Sequence, residues 1–192
     1  MLRRVVIVTG TPGTGKTVFS KRLANEIGAS YISLADLVSK YHLYTGVDRR
    51  RRSKIVDESR ARLMLETCLT DHALAVVDTH LPEGIIPEKA TKRVFVLRCH
   101  PRILEKRLRA RRWRATKIQE NILAELLDTC LIASVREYGL RRVVQLDTSH
   151  TTLKRLVSVA KQILTRRSPV HKIKIDWIAT LGKEGSLDRY LR

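Results

Sequence analysis

Gly-Thr-Pro-Gly-Thr-Gly-Lys-Thr at residues 10–17 follows closely on the apolar run Val-Val-Ile-Val at residues 5–8. The first stretch matches G-x-x-x-x-G-K-[ST], the pattern of phosphate-binding loops. A β-branched run bounded by glycine predicts a buried strand. After the loop, the apolar residues fall on one side of a helical wheel: Val18, Phe19, Leu23, Ala24 and Ile27. The sequence therefore predicts a strand, a glycine-rich turn and an amphipathic helix, and we expect this unit to bind a nucleoside triphosphate.

The residues of the loop have distinct expected roles. Gly10, Gly13 and Gly15 allow the backbone to turn so that successive N–H groups point at a phosphate. The following helix adds the partial positive charge of its N-terminus. We expect Lys16 to reach the β- and γ-phosphates of ATP and the Thr17 hydroxyl to bind Mg²⁺.

Composition limits the class of protein. A chain of 192 residues suits one domain with a sizeable core. No apolar stretch approaches the ~20 residues of a membrane span, so we expect an intracellular protein without a membrane partner. The three cysteines form no C-x-x-C pair and predict buried small side chains rather than a zinc site.

The charge balance is unusual, with 38 basic and 19 acidic residues and a formal net charge of +19. Such an excess favours polyanionic partners, and nucleic acid is the obvious candidate. A solvated, arginine-rich surface explains the same composition, and charge alone does not separate the two. The run Arg49–Arg52 is the densest basic stretch and is expected to be exposed.

Strand and helix patterns alternate along the chain. Apolar runs at 74–78, 94–97 and 143–146 predict buried strands, and long helical patterns follow at about 55–69, 101–114, 116–138 and 153–164. This alternation predicts an α/β fold with a parallel central sheet, in the three-layer arrangement of P-loop NTPases, and a nucleotide site at the carboxyl ends of the strands. We expect the domain to span 1–167. The pattern changes after residue 167, and 168–192 is expected to be a basic C-terminal appendage.

Three further residues have candidate roles in chemistry. Asp78 ends a predicted strand, where a P-loop enzyme needs a carboxylate for Mg²⁺; a strand-end cap is the alternative. His80 could orient a water or a phosphate, or be an ordinary loop histidine. Arg107, Arg111 and Arg114 are spaced to share a helix face, and Arg111 is the candidate to contact the triphosphate, although the face could simply be solvated.

These motifs together resemble a known family. The stretches that carry the resemblance are the loop at 10–17, Tyr-Ile-Ser-x-x-Asp-Leu at 31–37, Asp-Glu-x-Arg at 57–60, Asp-Thr-His at 78–80, Val-Phe-Val-Leu-Arg at 94–98 and Arg-Leu-x-x-Arg at 107–111. Over residues 3–165 the chain resembles the small nuclear adenylate kinase isoenzyme of eukaryotes and its archaeal counterparts, which act in small-ribosomal-subunit maturation. Asp-x-His is the motif that best distinguishes this family from other P-loop NTPases.

The resemblance implies a broad-specificity nucleoside monophosphate kinase that uses Mg²⁺ and ATP, phosphorylates AMP or a similar monophosphate, and also hydrolyses ATP. It implies a monophosphate region at about 33–56 and a short lid at about 110–120. It assigns ATP binding to Gly13, Thr14, Gly15, Lys16, Thr17, Val18 and Arg111, and catalytic roles to Lys16, Asp78, His80 and Arg111, with Thr17 and Asp78 at the metal. It further implies a platform protein of the small ribosomal subunit and rRNA as partners, in the cytoplasm or, for a eukaryote, the nucleus.

The chain departs from the family in three places, and alternatives stay open. Val18 stands where the family often has a hydroxyl, Arg49–Arg52 stands where eukaryotic members are acidic, and the tail after 166 has no clear counterpart. One alternative is a ribosome-assembly switch ATPase with a negligible kinase role. Another is an RNA-binding module with an inactive loop, which the intact Lys16, Thr17 and Asp78 argue against.

Overall fold

A computed structural model describes residues 4–48, 53–70, 72–80, 82–165 and 174–191. The basic run Arg49–Arg52 lies outside these ranges. Five strands form one parallel sheet in the order β2-β5-β1-β6-β7, and two more form a separate antiparallel hairpin. The strands are β1 (Val5–Thr9), β2 (Ser30–Ser33), β3 (Tyr44–Asp48), β4 (Ser53–Val56), β5 (Ala75–Asp78), β6 (Thr91–Arg98) and β7 (Val143–Asp147).

Eight α-helices occur in the described part of the chain and cover both faces of the sheet. They are α1 (Lys16–Ile27), α2 (Leu34–Lys40), α3 (Glu58–Leu69), α4 (Pro101–Ala110), α5 (Ala115–Leu126), α6 (Thr129–Tyr138), α7 (Leu153–Thr165) and α8 (Trp177–Lys183). Side chains of β1 alternate between the two faces because a strand has a period of two. Val5 and Ile7 pack with α2, α3 and α6, while Val6 and Val8 pack with α1 and α7. The predicted three-layer α/β fold with a parallel sheet is confirmed.

Two helix boundaries differ from the sequence prediction. Ile55 and Val56 belong to strand β4 of the hairpin, and the helix begins only at Glu58, where Asp57 caps it by accepting the Arg60 N–H at 3.1 Å. The single helix predicted at 116–138 is two helices, because Asp128 adopts a left-handed conformation with φ of 55°. A left-handed residue cannot continue a right-handed helix, so the chain turns there.

The arginine segment also differs from the prediction. Helix α4 ends at Ala110 and Arg111 is its C-cap, so Arg114 does not share a helix face with Arg107; it is instead the N-cap of α5. The turn between the two helices, residues 111–114, lies within the predicted lid.

The C-terminal residues pack against α4 and α5. Ile175, Trp177, Leu181 and Tyr190 are buried in a third apolar cluster, together with Leu104 and Leu108 of α4 and Ile118, Ile122 and Leu126 of α5. This cluster is separate from the two that line the sheet.

Candidate active site

The predicted phosphate-binding loop connects β1 to α1 at the carboxyl end of the sheet. Gly10 has a φ of 140°, and a Cβ added there would lie 2.3 Å from the Leu97 carbonyl oxygen of β6. Gly13 has a φ of 97°, and its Cβ would lie 2.8 Å from Leu104 Cδ1 of α4. Both positions therefore require glycine for two reasons, the backbone conformation and the close approach of a neighbour. The loop is clamped between β6 and α4.

Lys16 folds back over the loop. Its ammonium donates to the carbonyl oxygens of Gly10 at 2.8 Å and Thr11 at 3.3 Å. Desolvation by the surrounding protein lowers the pKa of Lys16 from its ordinary value; Asp78 acts in the opposite direction, and Arg111 lowers it further. Arg111 and Asp78 are thus both close enough for their charges to act on the ammonium.

Thr17 and Asp78 meet in front of the loop. The Thr17 hydroxyl donates to Asp78 Oδ2 at 2.7 Å, and the Tyr31 hydroxyl donates to the same oxygen at 3.4 Å. Desolvation and the Asp78 charge raise the pKa of Tyr31, which keeps its hydroxyl a donor. A hydroxyl and a carboxylate are hard oxygen ligands, which suit Mg²⁺.

The described residues contain no group of three or more His, Cys, Asp or Glu side chains able to hold a metal on their own. A nucleotide-bound Mg²⁺ keeps waters and phosphate oxygens among its ligands and takes only one or two from the protein. Thr17 and Asp78 are the residues placed to supply them.

His80 lies beside this centre on the loop that follows β5. Its carbonyl oxygen accepts the Thr9 hydroxyl at 3.3 Å, which ties the loop to the end of β1. The His80 residue is solvent-exposed. The surrounding protein nevertheless lowers the pKa of His80, first by desolvation and then by the charge of Lys16, while the Asp78 charge acts in the opposite direction. A neutral imidazole close to Lys16 can accept or donate a hydrogen bond near pH 7.

A cavity of about 490 Å³ adjoins the loop and α1. Val18, 61% exposed, and Arg111 line it, as the sequence analysis expected of nucleotide-binding residues. Arg107, which sequence reasoning named only as a neighbour of Arg111 on the helix, is also in its wall, and sequence reasoning missed Thr148 and Thr151 there. Arg107 donates to the Thr148 carbonyl oxygen at 2.7 Å and to its hydroxyl at 3.2 Å. The position of Thr148 just after the last parallel strand was an available signal, because such strand ends share one edge of the sheet.

A second cavity of about 290 Å³ is bordered by Thr79 and His80 of the loop after β5. Its walls come from α2, strand β4, the start of α3 and the loop after β5. Apolar side chains (Leu34, Val38, Val56 and Ile85) and polar ones (Ser39, Lys54, Glu58, Thr79, His80 and Glu83) line it. Lys54 donates to Ser39 at 3.0 Å and lies 4.6 Å from the Tyr44 ring centre. Part of its wall, from Leu34 to Val56, belongs to the predicted monophosphate region, which stays a prediction, and the rest comes from residues 58–85.

Comparison with known proteins shows the family of the chain. Residues 6–128 match the AAA domain family. A Methanocaldococcus jannaschii protein named "Putative adenylate kinase" is 30% identical over 90% of this chain and 92% of its own length. Proteins with the same name are 34% identical in Saccharolobus solfataricus (80% of each chain) and 33% identical in Pyrococcus abyssi (90% of this chain, 91% of theirs). The chain belongs to this adenylate-kinase-like P-loop family.

Solved structures support the fold of the adenylate-kinase-like chain. Shikimate kinase from Bacteroides thetaiotaomicron superposes with a TM-score of 0.57 at 16% identity, covering 85% of this chain and 99% of its own. Shikimate kinase from Acinetobacter baumannii in complex with shikimate gives 0.59 at 14% identity, covering 85% and 93%. At these identities the likeness concerns the fold alone. No helix in the described ranges is long and apolar enough to cross a membrane.

Proposed function

We propose that this protein is a nucleoside monophosphate kinase that transfers the γ-phosphoryl group of Mg·ATP to AMP or a similar monophosphate, and that it also hydrolyses ATP. The observation that carries the proposal is a second cavity, lined in part by Thr79 and His80, in addition to the cavity beside the phosphate-binding loop. An enzyme that only hydrolyses ATP needs one nucleotide cavity, whereas a phosphotransferase needs a second for the acceptor. The names of the archaeal relatives agree with this class of reaction.

The residues have separable roles in this mechanism. The loop N–H groups and Lys16 bind the β- and γ-phosphates, and Lys16 exchanges its bonds to the Gly10 and Thr11 carbonyls for bonds to phosphate oxygens. Arg107 and Arg111 border the cavity that takes the ATP base and ribose, and Arg111 offsets charge on the transferring group. Thr17 and Asp78 hold Mg²⁺, which supplies neutralisation of the phosphate charge when bound.

The second cavity receives the acceptor. Its apolar wall suits a nucleobase, and Lys54 is a cation in that wall. His80 borders the acceptor cavity and lies close enough to Lys16 for the ammonium charge to lower its pKa, so it can orient either the acceptor phosphate or, when the cavity holds none, a water. Closure of the turn at 111–114 over ATP would exclude bulk water during transfer.

The test is ADP formation from Mg·ATP by purified protein, with and without AMP at matched salt. Turnover that requires AMP supports the kinase, and slow turnover indifferent to AMP contradicts it. Lys16→Ala should abolish both rates. His80→Ala should reduce hydrolysis by about 10²-fold, the lower range for a group that handles a proton, and reduce phosphotransfer less, because a bound acceptor is positioned by its whole cavity.

His72→Ala is the matched control for the histidine variant. His72 bonds Ser30 at 2.9 Å at the start of β2, the opposite end of the sheet from the site. It should leave the ratio of hydrolysis to transfer unchanged. Equal loss of both rates in His80→Ala would remove His80 from the water-positioning role and leave the kinase proposal standing.

A second candidate function is a switch ATPase that works on the small ribosomal subunit, with a platform protein and rRNA as partners. The net charge of +19 and the exposed arginines at the end of α4 and in the turn after it, at 109, 111, 112 and 114, favour a polyanion. Neutralising Arg49–Arg52 should then reduce the salt dependence of RNA binding without changing ATP affinity. An unchanged salt slope would mean that this run is merely solvated.

A further inference from the structure

The C-terminal residues share a buried carboxylate with the phosphate-binding loop. Glu125, near the end of α5, is 2% exposed. Its Oε1 accepts the Trp177 indole N–H at 3.0 Å, and its Oε2 accepts the Thr11 hydroxyl at 2.5 Å. One side chain therefore connects a residue 52 positions downstream of it with a loop 114 positions upstream.

Glu125 is held in place by bonds that leave it little freedom. Oε1 also accepts Arg98 Nε at 2.8 Å and the Cys99 backbone N–H at 3.0 Å. Arg98 is itself buried and further bonds Asp128 and Gln145. Burial alone would lower the pKa of Arg98, but Glu125 and Asp128 together raise it. Because a buried charge pair is stable only when its hydrogen bonds are complete, each donor to Glu125 matters to the position of the others.

Thr11 connects Glu125 to the rest of the phosphate-binding loop through hydrogen bonds. It is 1% exposed, and its carbonyl oxygen accepts the Thr14 hydroxyl at 2.8 Å, the Thr14 N–H at 3.2 Å and Lys16 Nζ at 3.3 Å. A shift of Thr11 would therefore displace the turn that presents N–H groups to phosphate, together with the resting position of Lys16.

Trp177 is itself held in place by burial and by contacts at both ends of α8. It is 6% exposed, its ring packs edge-on against His100 with centroids 5.3 Å apart, and it begins α8, whose N-terminus Asp176 caps. Glu184 at the end of α8 bonds His100 Nε2 at 3.2 Å, so both ends of the helix are attached to the start of α4.

We propose that Trp177 is a positioning residue for nucleotide binding: through Glu125 it fixes Thr11, and so holds the phosphate-binding loop in the conformation that receives ATP. The inference rests on the proposed ATP site and adds to it a residue of the C-terminal segment. Without the indole donor, Glu125 loses one of its four bonds, the loop samples more conformations, and ATP binding must then order it.

The experiment compares two variants of the full-length protein that each remove one donor and keep an aromatic ring at the position. Trp177→Phe removes the N–H to Glu125. Tyr190→Phe, the matched control, removes the hydroxyl bond of the same C-terminal segment to Glu105 at 3.2 Å; the Glu105 side chain bonds Arg109, Arg189 and Tyr190 and makes no hydrogen bond to the loop. Calorimetric titration with Mg·ATP should give a Kd about 3–10-fold higher for Trp177→Phe and less than about 2-fold higher for Tyr190→Phe. The first change is a fraction of the effect of directly losing a hydrogen bond to a charged group. Equal changes in the two variants would overturn the inference.

A double-mutant cycle tests the route. Thr11→Val cuts the same path from the other end and should also raise the Kd about 3–10-fold. In the Thr11→Val background, Trp177→Phe should add less than about 2-fold, because coupled sites are non-additive. If the increases in Kd of the two single variants multiply in the double variant, transmission through Glu125 is refuted. This conclusion would hold even if Trp177→Phe were less stable than the wild-type protein.

The outcome is distinguishable from failure of the proposed function. The Kd is measured without AMP, so absence of phosphotransfer to AMP contradicts the kinase and leaves the comparison of Kd values intact. Failure of the wild-type protein to bind Mg·ATP would overturn both proposals together.

Discussion

Gly10→Ala tests whether the phosphate-binding loop is clamped against β6 as the structure shows. The added Cβ would lie 2.3 Å from the Leu97 carbonyl oxygen, more than 1 Å inside the 3.4 Å at which ordinary contact begins. The neighbour is backbone in a buried strand, so it cannot rotate away. Overpacking of this kind costs about 1–3 kcal/mol, and the positive φ of 140° adds about 1–2 kcal/mol for a residue with a side chain.

Gly15→Ala is the matched control, because Gly15 is in the same loop with a positive φ of 97° but has nothing within 4 Å of an added Cβ. It should cost only the conformational part, about 1–2 kcal/mol. Urea unfolding of the nucleotide-free proteins should therefore place Gly10→Ala about 1–3 kcal/mol below Gly15→Ala. That gap corresponds to a midpoint of thermal unfolding lower by about 2–12 °C for a chain of this size. Equal stability of the two variants would refute the close packing of Gly10 on β6.

Two further predictions concern the nucleotide site. Burial lowers the pKa of Lys16 in the free protein, and a bound phosphate should raise it again. Mg·ATP binding should therefore take up protons, and it should weaken as the pH rises between that lowered pKa and the ordinary value of 10.5. Titration calorimetry in buffers of different ionisation enthalpy measures this proton uptake, which Lys16→Met should eliminate. Over the same window the free protein should gain stability with rising pH from this group, because the unfolded chain binds more protons there. Arg107→Met should raise the Kd for Mg·ATP about tenfold, since the guanidinium lines the cavity and holds Thr148. Arg109→Met is the control, on the same helix but paired with Glu105 outside that cavity, and should leave the Kd within about twofold of the wild-type value. Similar increases of the Kd in both variants would show that only the general positive charge matters.

The sequence was sufficient for the parts of the site that are local in the chain. The strand, loop and helix at residues 5–27 follow from a pattern in which spacing and glycine positions are fixed by phosphate geometry. Asp78 was predictable because a buried strand ends there, and the structure places its carboxylate 2.7 Å from the Thr17 hydroxyl. What could not be predicted depends on single backbone conformations and distant contacts. Ile55 and Val56 suit either a helix or a strand when read alone, and nothing in the sequence marks Asp128 as left-handed.

The C-terminal segment shows why composition is a poor guide to participation in a site. Its polar, basic sequence predicts an appendage, because its apolar cluster is short. Those few apolar residues nevertheless complete a core between α4 and α5, the two helices that flank the turn at 111–114. Arg189 and the Tyr190 hydroxyl bond Glu105 of α4, while Gln119 of α5 donates to the Tyr190 carbonyl at 2.7 Å. The segment thus holds together both supports of the predicted lid. Because the same segment supplies the indole donor to Glu125, it is attached to the lid supports and to the phosphate-binding loop at once. A change in α5 on lid closure would therefore reach Thr11 through the hydrogen bonds of Trp177 and Thr11 to Glu125, whereas Tyr190 supports the lid helices without a hydrogen bond to that path.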